Sequence, residues 1–238
     1  MTEPTRLALD TAVSPADKAL ERLLDDRFSC RAFQPTPVPR PTIERILRLA
    51  QRTPSWCNSQ PWQVIVTSGA ATDAFRDAIY REAERTGGQG KPDFAFPREY
   101  RGVYLARRRE NGFQLYDSLN INRGDRAAYL KQMLENFRLF GAPHVAIVTS
   151  DEALGPYGAV DCGAYVASFL LAAEAQGVAT IPQAALASYP DLIRAHFGLG
   201  SDRLVVCGIS FGYADKAHPV HSYRSTRATI EDAVDWRE

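Results

Sequence analysis

Three stretches of the chain gather side chains that could do chemistry. The first is Arg27-Phe28-Ser29-Cys30-Arg31. In an extended segment alternate residues share a side, so Arg27, Ser29 and Arg31 point together. Two guanidiniums and a hydroxyl on one side make an anion site, because forked guanidinium–phosphate hydrogen bonds are strong. Taken alone, the pentapeptide reads more readily as a solvated basic edge. The second stretch, Arg224-Ser225-Thr226-Arg227, is another basic cluster near the far end. Together the two could close on one phosphate. The third is the loop Thr53-Pro54-Ser55-Trp56-Cys57-Asn58-Ser59-Gln60-Pro61-Trp62. Pro54 ends the helix before it, and Pro61 stands where a strand begins and a missing N–H costs least. A stiff loop carrying short polar side chains beside indole rings suits a flat, hydrogen-bonding ligand. The alternative is a plain helix-to-strand turn with two core tryptophans.

Other motifs point elsewhere. Gly208-Ile209-Ser210-Phe211-Gly212 matches the G-x-S-x-G pattern. That elbow needs a strand, a sharp turn and a helix, with the acid and the histidine at a distance. Here Tyr213-Ala214-Asp215 starts no helix, and His218 and His221 follow almost at once. The two glycines are therefore read as close-packing positions in a strand. His218-x-x-His221 is half a metal pair with no further ligand nearby, which reads as a solvated loop. The chain has no G-x-G-x-x-G and no P-loop, so it carries no standard dinucleotide or triphosphate cradle. Gly87-Gly88-Gln89-Gly90 reads as a hinge in a flexible break.

The elements that must position these groups come from a chain of 238 residues, enough for one large core. Lys+Arg and Asp+Glu both number 28, which gives no electrostatic case for nucleic acid or an anionic membrane. No apolar run approaches the ~20 residues of a membrane span. The N-terminus has no basic start followed by an apolar core, so no signal peptide is expected. Cys30, Cys57, Cys162 and Cys207 are scattered and read as free thiols of a cytoplasmic protein.

Residues 1–13 read as a loose arm. Ser14-Pro15 starts a helix with a stripe of Ala19, Leu20, Leu23 and Leu24. Arg40-Pro41 opens a second, burying Ile43, Ile46, Leu47 and Ala50 at helical spacing. A strand ends at Thr67, and a helix spans about Ala71 to Arg85. Residues 88–122 are rich in Tyr, Phe and Arg with weak periodicity, and read as a lid-like excursion of short helices. A helix is expected from about Asp125 to Phe140, then a buried strand His144–Thr149. Asp161 to Gln176 is apolar nearly all round, which places it centrally or at a subunit interface. A strand Val178–Ile181, a turn Pro182–Ala185, a helix Pro190–Phe197 and a strand Leu204–Ser210 complete an α+β pattern.

Taken together, Arg27-x-Ser29-x-Arg31, Pro54-Ser55-Trp56-x-Asn58-x-Gln60-Pro61-Trp62, the Gly212-Tyr213 strand end and Arg227 resemble the FMN-dependent nitroreductase family, most closely its nitrobenzoate-reductase-like branch. The likeness runs from about residue 20 to the C-terminus. It implies a nitroreductase-like fold, with a central, mostly antiparallel sheet wrapped by helices, in an intertwined homodimer with FMN at the interface. Residues 14–238 would form one FMN-binding domain. Arg27 and Ser29 would hold the FMN phosphate, joined by Arg227 and helped by Arg224, with Arg31 near the ring's N1 edge. Pro54, Ser55, Trp56 and Asn58 would line the flavin site, the loop coming from the partner subunit. Gln183, Ala184 and Ala185 would run past flavin N5, with backbone N–H groups as donors where many relatives carry Glu-Gly. Asn136 would face the flavin.

Electrons would pass from NADH or NADPH through FMN to nitroaromatic or quinone-like acceptors in a ping-pong sequence, without a catalytic side chain or a metal. Trp56, Phe94, Phe96, Tyr100, Tyr104, Phe113 and Tyr116 are candidates for the small aromatic substrate's pocket. The alternatives are another reaction on the same fold, such as a dehalogenase or a flavin-fragmenting enzyme, or an FMN-binding protein without turnover. Glu99 and Tyr104 lack the dehalogenase lid spacing.

Overall fold

In the computed structural model, residues 14–237 are described; the arm expected at residues 1–13 lies outside them. Four strands make one sheet in the order β1-β2-β4-β3, with every neighbouring pair antiparallel. They are β1 (Gln63–Val66), β2 (His144–Asp151), β3 (Ala179–Gln183) and β4 (Arg203–Gly212). β2 is buried along nearly its whole length, which is why it reads as a continuous apolar run. Val145 and Ile147 face one apolar cluster with Phe75, Ile79, Phe137 and Ile193. Ala146 and Val148 face the other, with Ile43, Ile46, Tyr165 and Phe169. The period of two thus splits a single strand between two cores.

Helices α2 (Arg40–Ala50) and α6 (Gly155–Glu174) cover the second cluster, and α3 (Ala70–Thr86) and α7 (Pro190–Phe197) the first. α1 (Pro15–Asp26) starts as expected, with the Ser14 hydroxyl accepting from Asp17 N–H at 3.1 Å. Its apolar stripe is uncovered, with Leu20 and Leu24 about half exposed.

Five expectations need correction. The apolar helix expected from Asp161 to Gln176 is α6, which starts six residues earlier. The excursion of short helices is one 17-residue helix, α4 (Gly102–Ser118), with no buried residue. The helix expected to reach Phe140 is α5 (Arg126–Leu134) and stops six residues early. Leu139 and Phe140 then turn through positive φ, which buries both side chains in the first cluster. The glycine hinge is packed rather than loose. Gly87 caps α3 in the left-handed region, and a Cβ on Gly90 would lie 2.1 Å from the Ser188 carbonyl oxygen. Lastly, Pro182 and Gln183 belong to β3, and the turn is the 3₁₀ segment Ala184–Ser188.

β4 overhangs β3, which pairs only with Gly208–Gly212. Along the overhang Asp93 accepts from Val205 N–H at 2.8 Å, and Arg194 donates to the Arg203 carbonyl at 3.1 Å. The two charges join at 2.7 Å and are mostly buried. This pins the root of residues 88–101 to the sheet.

Candidate functional site

The Arg27–Arg31 segment is extended, as its alternation requires. Ser29 bridges Thr180 of β3, and Cys30 N–H donates to the Thr180 carbonyl at 2.9 Å. Three residues beyond Arg31, Gln34 N–H donates to the carbonyl of Tyr213, just past β4. Backbone pairing at the middle of the segment and just beyond it thus fixes the segment along the sheet. The tail returns beside it, turning through the 3₁₀ segment Pro219–His221.

These pieces line a cleft of about 640 Å³. Arg27, Ser29 and Arg31 form one wall and Arg224, Ser225 and Arg227 the other. Arg224 lies over the Phe28 ring at 4.2 Å, which holds the tail against the segment. Arg107 and Asn111 of α4 complete the lining. The sequence reading missed both. The run Arg107-Arg108-Arg109 was the available signal, since only one of three successive helical residues can face a given groove.

The cleft has an unmet need for an anion. None of its five guanidiniums lies within 4 Å of a carboxylate among the described residues, although Asp25 is in the lining. Arg27 titrates below its ordinary value, first because it is partly buried and then because Arg227 faces it. Glu174 offsets this in part without forming an ion pair, so the two cations face each other with no carboxylate in contact. Tyr223, also in the lining, has a hydroxyl shut off from water and unpaired among the described residues. Crowded guanidiniums, hydroxyl donors and an orphaned phenol suit a phosphate-bearing ligand, because charge-assisted hydrogen bonds would satisfy all three. The residues present fit the phosphate end of FMN.

Asn136 and Gln183 come together at the end of β3. Gln183 donates to the Asn136 carbonyl at 2.8 Å and accepts from Ser210 Oγ at 2.5 Å. Ser210 is thus a buried strand residue within this network, and the G-x-S-x-G match is coincidental. The network fixes where the chain leaves β3 into Ala184 and Ala185.

Pro54, Ser55, Trp56 and Asn58 are not brought to this cleft. Trp62 packs in the core, stacked on Tyr165, but Trp56 is 58% exposed. Trp56 meets Tyr157 edge-on at 4.4 Å, and its backbone N–H donates to the Asp161 carboxylate of α6 at 3.1 Å. Within the loop Ser55 Oγ accepts from Gln60 N–H, and Gln60 bridges Asn58 and Gln51. Cys57, Asn58 and Gln60 all have positive φ without being glycine, a conformation that costs about 1 kcal/mol or more each. The excursion's aromatics do not line the cleft either. Phe113 and Tyr100 lie under arginines and Tyr116 stacks on Tyr129.

Comparison with known proteins places the chain in one family. Residues 24–213 match the model of the Nitroreductase family. The chain is 37% identical to nitroreductase NfnB of Mycolicibacterium smegmatis, covering 98% of this chain and 97% of that protein. It is 32% identical to a 4-nitrobenzoate reductase of Nocardioides sp., covering 98% and 96%. Among solved structures, FMN-dependent NfnB from Mycobacterium smegmatis in complex with NADPH superposes with a TM-score of 0.88 at 36% identity, covering 94% of this chain and all of that one. The FMN- and NADPH-dependent NfnB of Sphigopyxis sp. strain HMH gives 0.86 at 34% identity, covering 92% and 98%.

Proposed function

Because the chain belongs to the nitroreductase family, we propose that it is an FMN-dependent oxidoreductase that passes electrons from NADH or NADPH to nitroaromatic or quinone-like acceptors. The observation that carries this reading is the cleft of unpaired guanidiniums, in a chain that matches nitroreductases along nearly their whole length. When bound, FMN supplies the two-electron chemistry that links nicotinamide to acceptor.

The chain's own residues bind and orient. Arg27, Ser29 and Arg227 hold the phosphate, with Arg224 beside them and Arg107 and Asn111 closing the cleft from α4. Arg31 places a fixed positive charge toward the ring, which favours the more negative reduced form. Gln183, tied to Asn136 and Ser210, sets the backbone N–H groups of Ala184 and Ala185. No general acid or base is assigned. Residues 14–238 act as one FMN-binding domain, since both apolar clusters share one sheet.

The working unit is a homodimer in which Pro54, Ser55, Trp56 and Asn58 complete the partner's site. Two observations support it: the loop is remote from its own chain's cleft, and its exposed indole packs on an exposed ring of α6. Trp56 meets Tyr157, and both are at least 58% exposed, as is Val160 one turn on. An apolar cluster left in water marks an interface. Buried free thiols at Cys30 and Cys162 fit a reducing, cytoplasmic setting. Among the described residues no helix is long and apolar enough to cross a membrane.

The test is the cofactor itself. The purified protein should be yellow, release FMN by mass spectrometry, and bleach under anaerobic NADH or NADPH. FAD, or no flavin after reconstitution, would overturn the reading; bound FMN that neither nicotinamide reduces would leave a flavin-binding protein without this activity.

A further inference from the structure

His221 lies where the tail meets the Arg27–Arg31 segment, and its ring is held on both sides. Arg31 N–H donates to Nε2 at 3.0 Å, and Nδ1 lies 2.9 Å from the Asp215 carbonyl oxygen. An amide N–H needs an acceptor and a carbonyl needs a donor. The ring is therefore neutral, with its proton on Nδ1. The Phe28 ring meets it edge-on at 5.1 Å, and the Cys30 thiol lies 3.6 Å from Nε2. That thiol donates to the Ala32 carbonyl and leaves Nε2 to Arg31. Arg224, three residues on, donates to the His221 carbonyl at 2.9 Å. One side chain thus links the two walls of the cleft.

We propose that His221 is a positioning residue that holds the two walls of the anion cleft in register, and that it does so only as the neutral ring, so that acid releases the cofactor. The proposal rests on the reading that this cleft takes the FMN phosphate. Protonation would put a hydrogen on Nε2, facing the Arg31 N–H, and the tie would break. The tail carrying Arg224 and Arg227 would then lose its fixed distance from Arg27.

The surroundings keep the ring neutral. Burial lowers its proton affinity most; His218 and Arg224 add to this, while the carbonyl and carboxylate of Asp215 oppose it. A ring whose proton affinity is depressed in the tied state gains a proton when the tie opens. The tie is therefore at full strength above about pH 6.5, the ordinary imidazole value, and weakens as pH falls below it.

FMN dissociation, followed by flavin fluorescence between pH 7.5 and 5.5, tests this in the wild type, His221→Ala and His221→Gln. A glutamine offers one acceptor and one donor and does not titrate. The FMN phosphate itself loses charge near pH 6, but equally in all three proteins. The expected result is at least tenfold weaker FMN binding in His221→Ala at pH 7.5, restored to within roughly threefold in His221→Gln. The wild-type dissociation constant should rise about fivefold to tenfold more than that of His221→Gln across the range, since one proton gives at most tenfold per pH unit. Parallel curves for wild type and His221→Gln would overturn the proposal. FMN binding to none of the three at any pH would overturn the cofactor reading instead. Ring-nitrogen NMR of the FMN-free wild type is a second measurement, independent of the variants' folding: the neutral Nδ1–H form at pH 7.5 is expected, and the Nε2–H form or a protonated ring refutes the tie.

Discussion

The basic cleft and the Trp56 loop are built on opposite plans. The cleft joins segments about 190 residues apart and is rich in guanidiniums that no carboxylate among the described residues pairs. The loop is local, its polar side chains bond mostly to one another, and what it leaves over is apolar: Trp56 against Tyr157. The first region awaits a small anion and the second a surface. A site divided in this way can recognise phosphate with one chain, yet need a second chain to cover a ring.

The largest expected effect breaks the first half alone. Arg27→Ala or Arg227→Ala should weaken FMN binding by about 1.5–3 kcal/mol, the scale of hydrogen bonds to charged groups. The same changes should leave the urea midpoint of the FMN-free protein unchanged or slightly raised, because each removes a repelling neighbour. Fluorescence titration and unfolding of the same samples give both numbers, and parallel losses would make these arginines structural. Activity should largely return in excess FMN.

Next in size is the second half. Trp56→Ala should weaken dimerisation by about 1–2 kcal/mol, as for a moderately important interface aromatic, read from the concentration dependence of light scattering. An unchanged dimer would move the interface elsewhere. Smaller again, Cys57→Val should cost about 1 kcal/mol of folding stability, because a β-branched residue tolerates positive φ poorly. Phosphate affinity should not follow it.

The smallest test concerns the background that both regions share. His144 is buried between Val38 N–H and the Thr67 carbonyl, and burial depresses its proton affinity. A depressed imidazole contributes stability that is complete above about pH 6.5 and lost as pH falls below it. Urea midpoints should therefore decline from pH 7 to 5.5, and less steeply in His144→Gln. Equal slopes would remove His144 from the account.

The sequence showed the two regions unequally. Alternation of Arg27, Ser29 and Arg31 is a short-range signal, and it survived folding because Ser29 and Cys30 pair with β3 and the chain just beyond Arg31 pairs past the end of β4. That Arg107 joins them was hidden, because α4 buries nothing in one chain and so shows no periodicity to orient it. α5 was read too long for the opposite reason. Phe137, Leu139 and Phe140 are all core residues, so the apolar spacing continues after the helix has stopped, and no glycine or proline marks Leu134. α6 begins at Gly155, and its signal, Pro156 in the first turn, was passed over for the apolar run beyond Asp161. Trp56 and Trp62 look alike in the sequence, and only the sheet decides which one is inside.

The Asp93–Arg194 pair on the overhang of β4 has a consequence beyond holding the excursion. A bare strand edge is a template on which any passing extended chain can assemble. Here the acid stands where a neighbour's carbonyl would be and the guanidinium where its N–H would be. The edge meets something that satisfies it like a strand but has no far side to offer. In the folded chain, growth of the sheet stops there.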